Sequence, residues 1–89
     1  MSAIDDIAAE RKRQITQEGW SPEHDDKHSD GSLRAAACCY IAPEMAGEIW
    51  PWGFDWWKPA GLRRNLVKAG ALIAAEIDRI DRQSSAKAA

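Results

Sequence analysis

The chain is expected to fold as an all-α, compact three-helix domain, with helices at about 3–17, 32–49 (broken at Pro43) and 60–82 and a tryptophan-rich loop over 50–59. Apolar residues recur at three- and four-residue steps in three separate stretches, which is the spacing of one helix face. Helix-start residues precede the first two stretches, and a proline that suits a first turn precedes the third. Prolines and glycines between the stretches stop any one element from running on.

The first helix opens with Ser2 and Asp5, an S-x-x-D variant of the capping box. Ile4, Ile7, Ala8, Arg11 and Ile15 then follow at helical spacing, and Glu18-Gly19 ends the run. The opposite face, with Asp6, Glu10, Lys12 and Arg13, reads as a solvated surface with charge pairs between successive turns. A polar loop is expected over 20–31. Asp30 or Ser32 suits the cap of the second helix, whose Leu33, Ala36, Ala37, Tyr40 and Ile41 form a buried stripe. In the third helix Leu62, Leu66, Ala69, Ile73, Ile77 and Ile80 alternate steps of three and four, widened by Val67 and Leu72. That stripe is broader than one neighbouring helix covers, so self-association as a homo-oligomer is expected. Ala69, Gly70, Ala71, Ala74 and Ala75 permit close helix approach.

Eighty-nine residues make one small domain, taken as 1–83, with 84–89 as a flexible tail. The apolar fraction of 45% overstates the core, because sixteen of those residues are alanine. The cysteines, Cys38 and Cys39, are adjacent, and a bridge between neighbours closes a strained ring, so both are read as reduced, buried helix residues. No signal-peptide pattern and no spanning apolar run are present, which leads to a cytoplasmic protein that does not enter the membrane. A net charge of -2 argues against general nucleic-acid binding while leaving room for one basic patch.

Three constellations are candidates for function. Trp50-Pro51-Trp52-Gly53-Phe54-Asp55-Trp56-Trp57-Lys58-Pro59 carries four of the five tryptophans and leads into Arg63, Arg64 and Lys68. Indole faces stack on nucleobases, and a helix start with cations on one face favours phosphate. The alternative is that the tryptophans fill the core and the cations lie over their rings. His24-Asp25-Asp26-Lys27-His28 offers imidazoles four residues apart beside carboxylates, a donor set for zinc, or for magnesium through the acids alone. Helix capping by the acids, with His24 as a ligand hydrogen-bond donor, accounts for the same residues without metal. Glu76, with Asp78 near it, reads as a salt-bridged surface acid facing Arg79 and Arg82.

Glu10-Arg11-x-x-Gln14, Glu18-Gly19-Trp20, His24-Asp25-Asp26-x-His28, Trp50-Pro51-Trp52, Trp57-Lys58-Pro59 and the run from Arg64 to Glu76 together resemble a small module of tailed-phage and prophage genomes. That module is found at the end of Ea22-like accessory proteins and as a free-standing chain. The resemblance spans residues 10 to about 82 and implies a phage accessory protein of the bacterial host cytoplasm rather than a part of the virion. By analogy with that genomic class, it points toward action on host processes such as the nucleotide signals of host immunity.

The leading expectation is a non-enzymatic binder of a small nucleotide-like ligand that needs no cofactor and that would sequester such a signal. Trp52, Trp56 or Trp57 would stack on the base, Lys58, Arg64 and Lys68 would hold phosphate, and Glu10, Trp20 and His24 would complete the site. Two alternatives stand beside it. One is an all-helical, metal-dependent nucleotide pyrophosphohydrolase, in which Asp25, Asp26 and Glu76 would converge although the paired acidic motifs of such enzymes are absent. The other is a helical adaptor that blocks a host protein with its tryptophan surface.

Overall fold

The computed structural model describes the backbone of residues 2–88 and the side chains of residues 2–85. Met1 and Ala89, the outer ends of the expected domain and tail, lie outside the described residues. Helix α1 (Ala3–Gln17) begins as expected: Ser2 Oγ accepts the Asp5 N–H at 3.1 Å, and the Asp5 carboxylate accepts the Ser2 N–H at 3.3 Å. At its far end Gly19 takes φ 75°, a left-handed backbone suited to glycine, and Trp20 N–H turns back to the Gln14 carbonyl at 3.0 Å.

The segment read from sequence as a loop contains a single helical turn, α2 (Pro22–Asp25). Ser21 caps it by accepting the His24 N–H at 3.2 Å, and Pro22 occupies its first position, where a missing N–H costs nothing. Helix α3 (Ser32–Ile41) follows Gly31, and the Asp30 carboxylate accepts both the N–H and the hydroxyl of Ser32. Pro43 ends it where expected, and a 3-10 turn (Pro43–Met45) leads into the short α4 (Ala46–Ile49).

The tryptophan loop contains a second 3-10 turn (Phe54–Trp56) and feeds α5 (Leu62–Ala88). This last helix starts two residues later than the sequence suggests. Asn65 is the reason: its side chain accepts the Ala60 N–H at 2.7 Å and donates to the Ala60 carbonyl at 3.0 Å, holding Ala60 outside the helix. The helix then runs through residues 84–88, the stretch read as a tail. No helix among the described residues is long and apolar enough to cross a membrane.

The architecture is all-α, with α5 as the spine. Arg34 meets Glu76 and Tyr40 meets Lys68, so α3 runs antiparallel to α5. Helix α1 crosses α5 where Ile7 lies over Gly70, close enough that a Cβ there would sit 2.8 Å from Ile7 Cδ1. The core comprises Leu33, Ala36, Ala37, Cys39, Tyr40, Ala46, Trp50, Ala69, Leu72 and Ala75.

Burial departs from the sequence pattern in one consistent way. On α1 the buried residues are Glu10 and Gln14, while Ile4 and Ala8 are exposed. On α5 the buried face is Asn65, Val67, Ala69, Ala71, Leu72, Ala75, Glu76 and Arg79, whereas Leu62, Leu66, Ile73, Ile77 and Ile80 face outward. The apolar spacing located these helices but only part of their inner face: Ile7, Val67, Ala69 and Leu72 do pack inward, while small and polar residues repeating with the same period take the rest of the packed side. Ile41 and Cys38 are likewise exposed, against the expectation that both are buried.

Buried acids demand partners. Glu10 accepts from Arg13 at 2.9 Å through each oxygen and from Arg64, across from α5. Burial alone would raise its pKa, but the hydrogen bonds and charges of Arg13 and Arg64 outweigh it and hold the carboxyl below its ordinary value. Both arginines reach solvent, so removing the acid leaves cations that water can serve. Glu10→Ala is expected to cost about 2 kcal/mol, less than a fully buried pair, and to lower the Tm by roughly 10 °C at neutral pH in thermal unfolding followed by circular dichroism. Because the folded pKa is depressed, the stabilisation is present above the unfolded value and is lost as pH falls through the folded one, so wild type and variant should converge in acid.

Candidate functional site

The tryptophans divide into two sets. Trp50 and Trp57 join Tyr40 in a ring cluster: Tyr40 to Trp57 is 4.8 Å between centroids, Trp50 to Trp57 is 4.9 Å, and Tyr40 to Trp50 is 5.8 Å edge to face. Trp50 Nε1 donates to the Gly53 carbonyl at 3.1 Å, and Tyr40 Oη accepts the Lys58 N–H at 3.3 Å, so this cluster pins both ends of the loop.

Trp20, Trp52 and Trp56 instead line a chamber of about 450 Å³ together with Glu18, His24, His28 and Gly53. Local structure puts each there. The left-handed Gly19 and a 3.1 Å bond from Arg11 to the Trp20 carbonyl fix Trp20. The single turn α2 presents His24, whose ring lies parallel to Trp20 within 4° at 6.4 Å. His28 meets His24 at 4.8 Å and Trp52 at 5.3 Å. Trp52 leans on Trp50 edge to face at 5.4 Å, so the core backs one wall.

A narrow crevice of about 20 Å³ adjoins the chamber and shares Glu18, Trp20 and Trp56 with it. It adds Glu10, Arg13, Gln14, Tyr40, Lys58 and Lys68. Glu18 bonds Arg13 at 3.0 Å, while Lys58 Nζ stands 3.8 Å from Glu18 and 5.7 Å from the centre of the Trp56 ring. Lys68 donates to the Lys58 carbonyl at 2.6 Å and lies over Tyr40; burial, then the charge of Arg64, lowers its pKa. Lys58 is therefore the cation with the loosest tether.

Of the nine residues expected to bind ligand, Trp20, His24, Trp52 and Trp56 meet in the chamber, and Glu10, Lys58 and Lys68 line the crevice. The structure separates two from them. Trp57 is packed among Tyr40 and Trp50, because the chain must bury some of its few large side chains to make a core. Arg64 is drawn to Glu10 in a different surface hollow, shared with Asp6 and Arg63, so it does not form one clamp with Lys68. Sequence reading missed Glu18 and Arg13 as wall residues. The one available signal was Glu18 standing directly before Gly19-Trp20.

The His/Asp stretch diverges. Asp25 points inward to Arg11, with its other oxygen 3.6 Å from His24 Nδ1, and Asp26 points outward to Arg82 at 2.7 Å. Of the four metal candidates, the two histidines alone face the chamber. Glu76 is buried between Arg79 at 2.6 Å and Arg34 at 3.2 Å, so the expected surface salt bridge lies inside. The three acids of the pyrophosphohydrolase alternative are thus each committed to a separate arginine, and among the described residues no three His, Cys, Asp or Glu gather as a metal site. Comparison with protein-family models, with curated proteins and with solved structures finds no match to this chain.

Trp57→Ala should cost about 3 kcal/mol by emptying the ring cluster, whereas Trp56→Ala, whose indole is 46% exposed, should cost under about 1 kcal/mol; urea unfolding of each variant checks this. His28 provides a second test. Burial, then the charge of His24, pushes its pKa below the ordinary 6.5. The unfolded chain then binds the proton first, so stability is complete above that value and declines as pH falls toward the folded pKa. His28→Gln should flatten this decline in Tm between neutral and mildly acidic pH.

Proposed function

We propose that the protein is a non-enzymatic binder of a small nucleotide-like molecule, held by its flat ring in the aromatic chamber. The observation that carries the reading is the junction of a three-indole, two-imidazole chamber with a crevice that holds Arg13, Lys58 and Lys68. A base stacked on exposed indole gains about 1–3 kcal/mol. His28, kept neutral by burial, presents one donor and one acceptor suited to a base edge. Lys58, weakly tethered, is the cation able to turn toward a phosphate; it takes the place that the sequence suggested for Arg64.

In the phage setting that the resemblance implies, such a binder would serve by withdrawing a signalling nucleotide from the host. The other partner expected from sequence, a second copy of the chain, would dock on the outward face of α5, away from the chamber.

Titration with a panel of mono-, di- and cyclic nucleotides, followed by tryptophan fluorescence and by recovery of the unchanged nucleotide, tests the reading. Trp56→Ala should weaken binding roughly 5- to 150-fold, the stacking energy expressed as a ratio. Lys58→Ala should weaken binding of nucleotides but leave that of the matching nucleosides unchanged. Wild-type protein that binds nothing in the panel would overturn the proposal.

A further inference from the structure

The outward stripe of α5 is the least expected feature of the molecule. Leu62, Leu66, Ile73, Ile77 and Ile80 are 44 to 71% exposed on one side of a single helix, and Ile4 on α1 is 75% exposed. Together they leave roughly 600 Å² of apolar side chain open, at the top of the range for the largest patch on a monomer. Across two copies that makes roughly 1,200 Å², the lower end of stable interfaces. The helix has meanwhile buried Asn65, Glu76 and Arg79 on its inner side. A chain poor in large apolar residues thus turns many of its leucines and isoleucines outward, which is costly in water unless another surface covers them.

We propose that this surface is a second copy of the chain, packed with its α5 antiparallel to the first and the two-fold axis near Ile73. The sequence of the stripe is nearly symmetric about that residue. Leu66 and Ile80 each lie seven positions away, and all three are exposed. An antiparallel pair therefore sets Ile73 against its own copy and Leu66 against Ile80, with the exposed Ile77 beside them.

Charge agrees with this direction. Arg63 and Asp81 are eighteen residues apart, five full turns, so they share one flank of the stripe at its two ends. Both are exposed. In an antiparallel pair a flank faces the same flank of the partner with its ends exchanged, so each Arg63 approaches an Asp81. In a parallel pair each flank faces the opposite flank of the partner, and Arg63 and Asp81 stay at opposite ends and do not meet. Arg63 also bonds Asp6 of its own chain at 2.6 Å, which orients it at the N-terminal end of the stripe.

Sedimentation and light scattering over a concentration series test this on the full chain. Wild type is expected to be a dimer at micromolar concentration, with a Tm that rises with concentration. Ile73→Asp and Ile77→Asp should each yield a helical monomer, and both positions are exposed enough to take the change without loss of fold. Asp81→Arg should weaken association, and adding Arg63→Glu should restore it; only antiparallel pairing gives that rescue. In a Cys38→Ser background, Ile73→Cys should oxidise to a covalent dimer. A wild type that stays monomeric at millimolar concentration would overturn the proposal, as would a dimer indifferent to both Ile→Asp changes. A monomer that instead floats with phosphatidylcholine vesicles would assign the stripe to lipid and overturn it too.

Discussion

Among the described residues three side-chain carboxylates lie inside this small molecule, and each is met by an arginine from another element. Glu10 on α1 takes Arg64 from α5, Asp25 on α2 takes Arg11 from α1, and Glu76 on α5 takes Arg34 from α3. A buried carboxylate left alone is prohibitively unfavourable, so the helices are obliged to sit where these pairs close. Hydrophobic burial is weaker in directing them, since much of the core is alanine and tolerates sliding. The ion pairs supply what the alanines lack, a single register for α1, α2 and α3 against the spine.

The same requirement shapes the chamber. Arg11 bonds both Asp25 and the Trp20 carbonyl, which ties the wall carrying His24 to the wall carrying Trp20. Arg13 bonds both Glu10 and Glu18, and thereby links the inner acid to the chamber edge. One turn of α1 therefore holds one side of the site through Arg11 and Arg13, while the Tyr40, Trp50 and Trp57 rings hold the other. The cavity is backed by packed rings and opens at its lip, where Trp56 and Lys58 lie exposed.

Features that depend on neighbours in sequence were legible. The Ser2–Asp5 box, the stop at Pro43 and the loop character of 50–59 follow from local stereochemistry and appear as expected. The inward stripe of α3 was legible apart from Ile41, but the inward sides of α1 and α5 were legible only in part, because they depend on partners far away in the chain. Glu10 looks solvated until Arg64, fifty-four positions on, is brought beside it. The cluster of indoles pointed to one region of the chain, and Trp20, His24, Trp52 and Trp56 do converge there. Its division into core and wall could not be read, since Trp56 and Trp57 are adjacent residues of one type and differ only in which way the 3-10 turn points them.

The ring contacts also have an optical consequence. Trp20, Trp52, Trp50 and Trp57 touch in unbroken succession, at 5.5, 5.4 and 4.9 Å between centroids. Transition dipoles so close do not absorb independently; they couple, and their fixed tilts give the coupling a handedness. The folded chain should therefore carry an exciton signature in the ultraviolet that belongs to the set rather than to any one indole. Excitation would migrate along the row rather than stay on the indole that absorbed it.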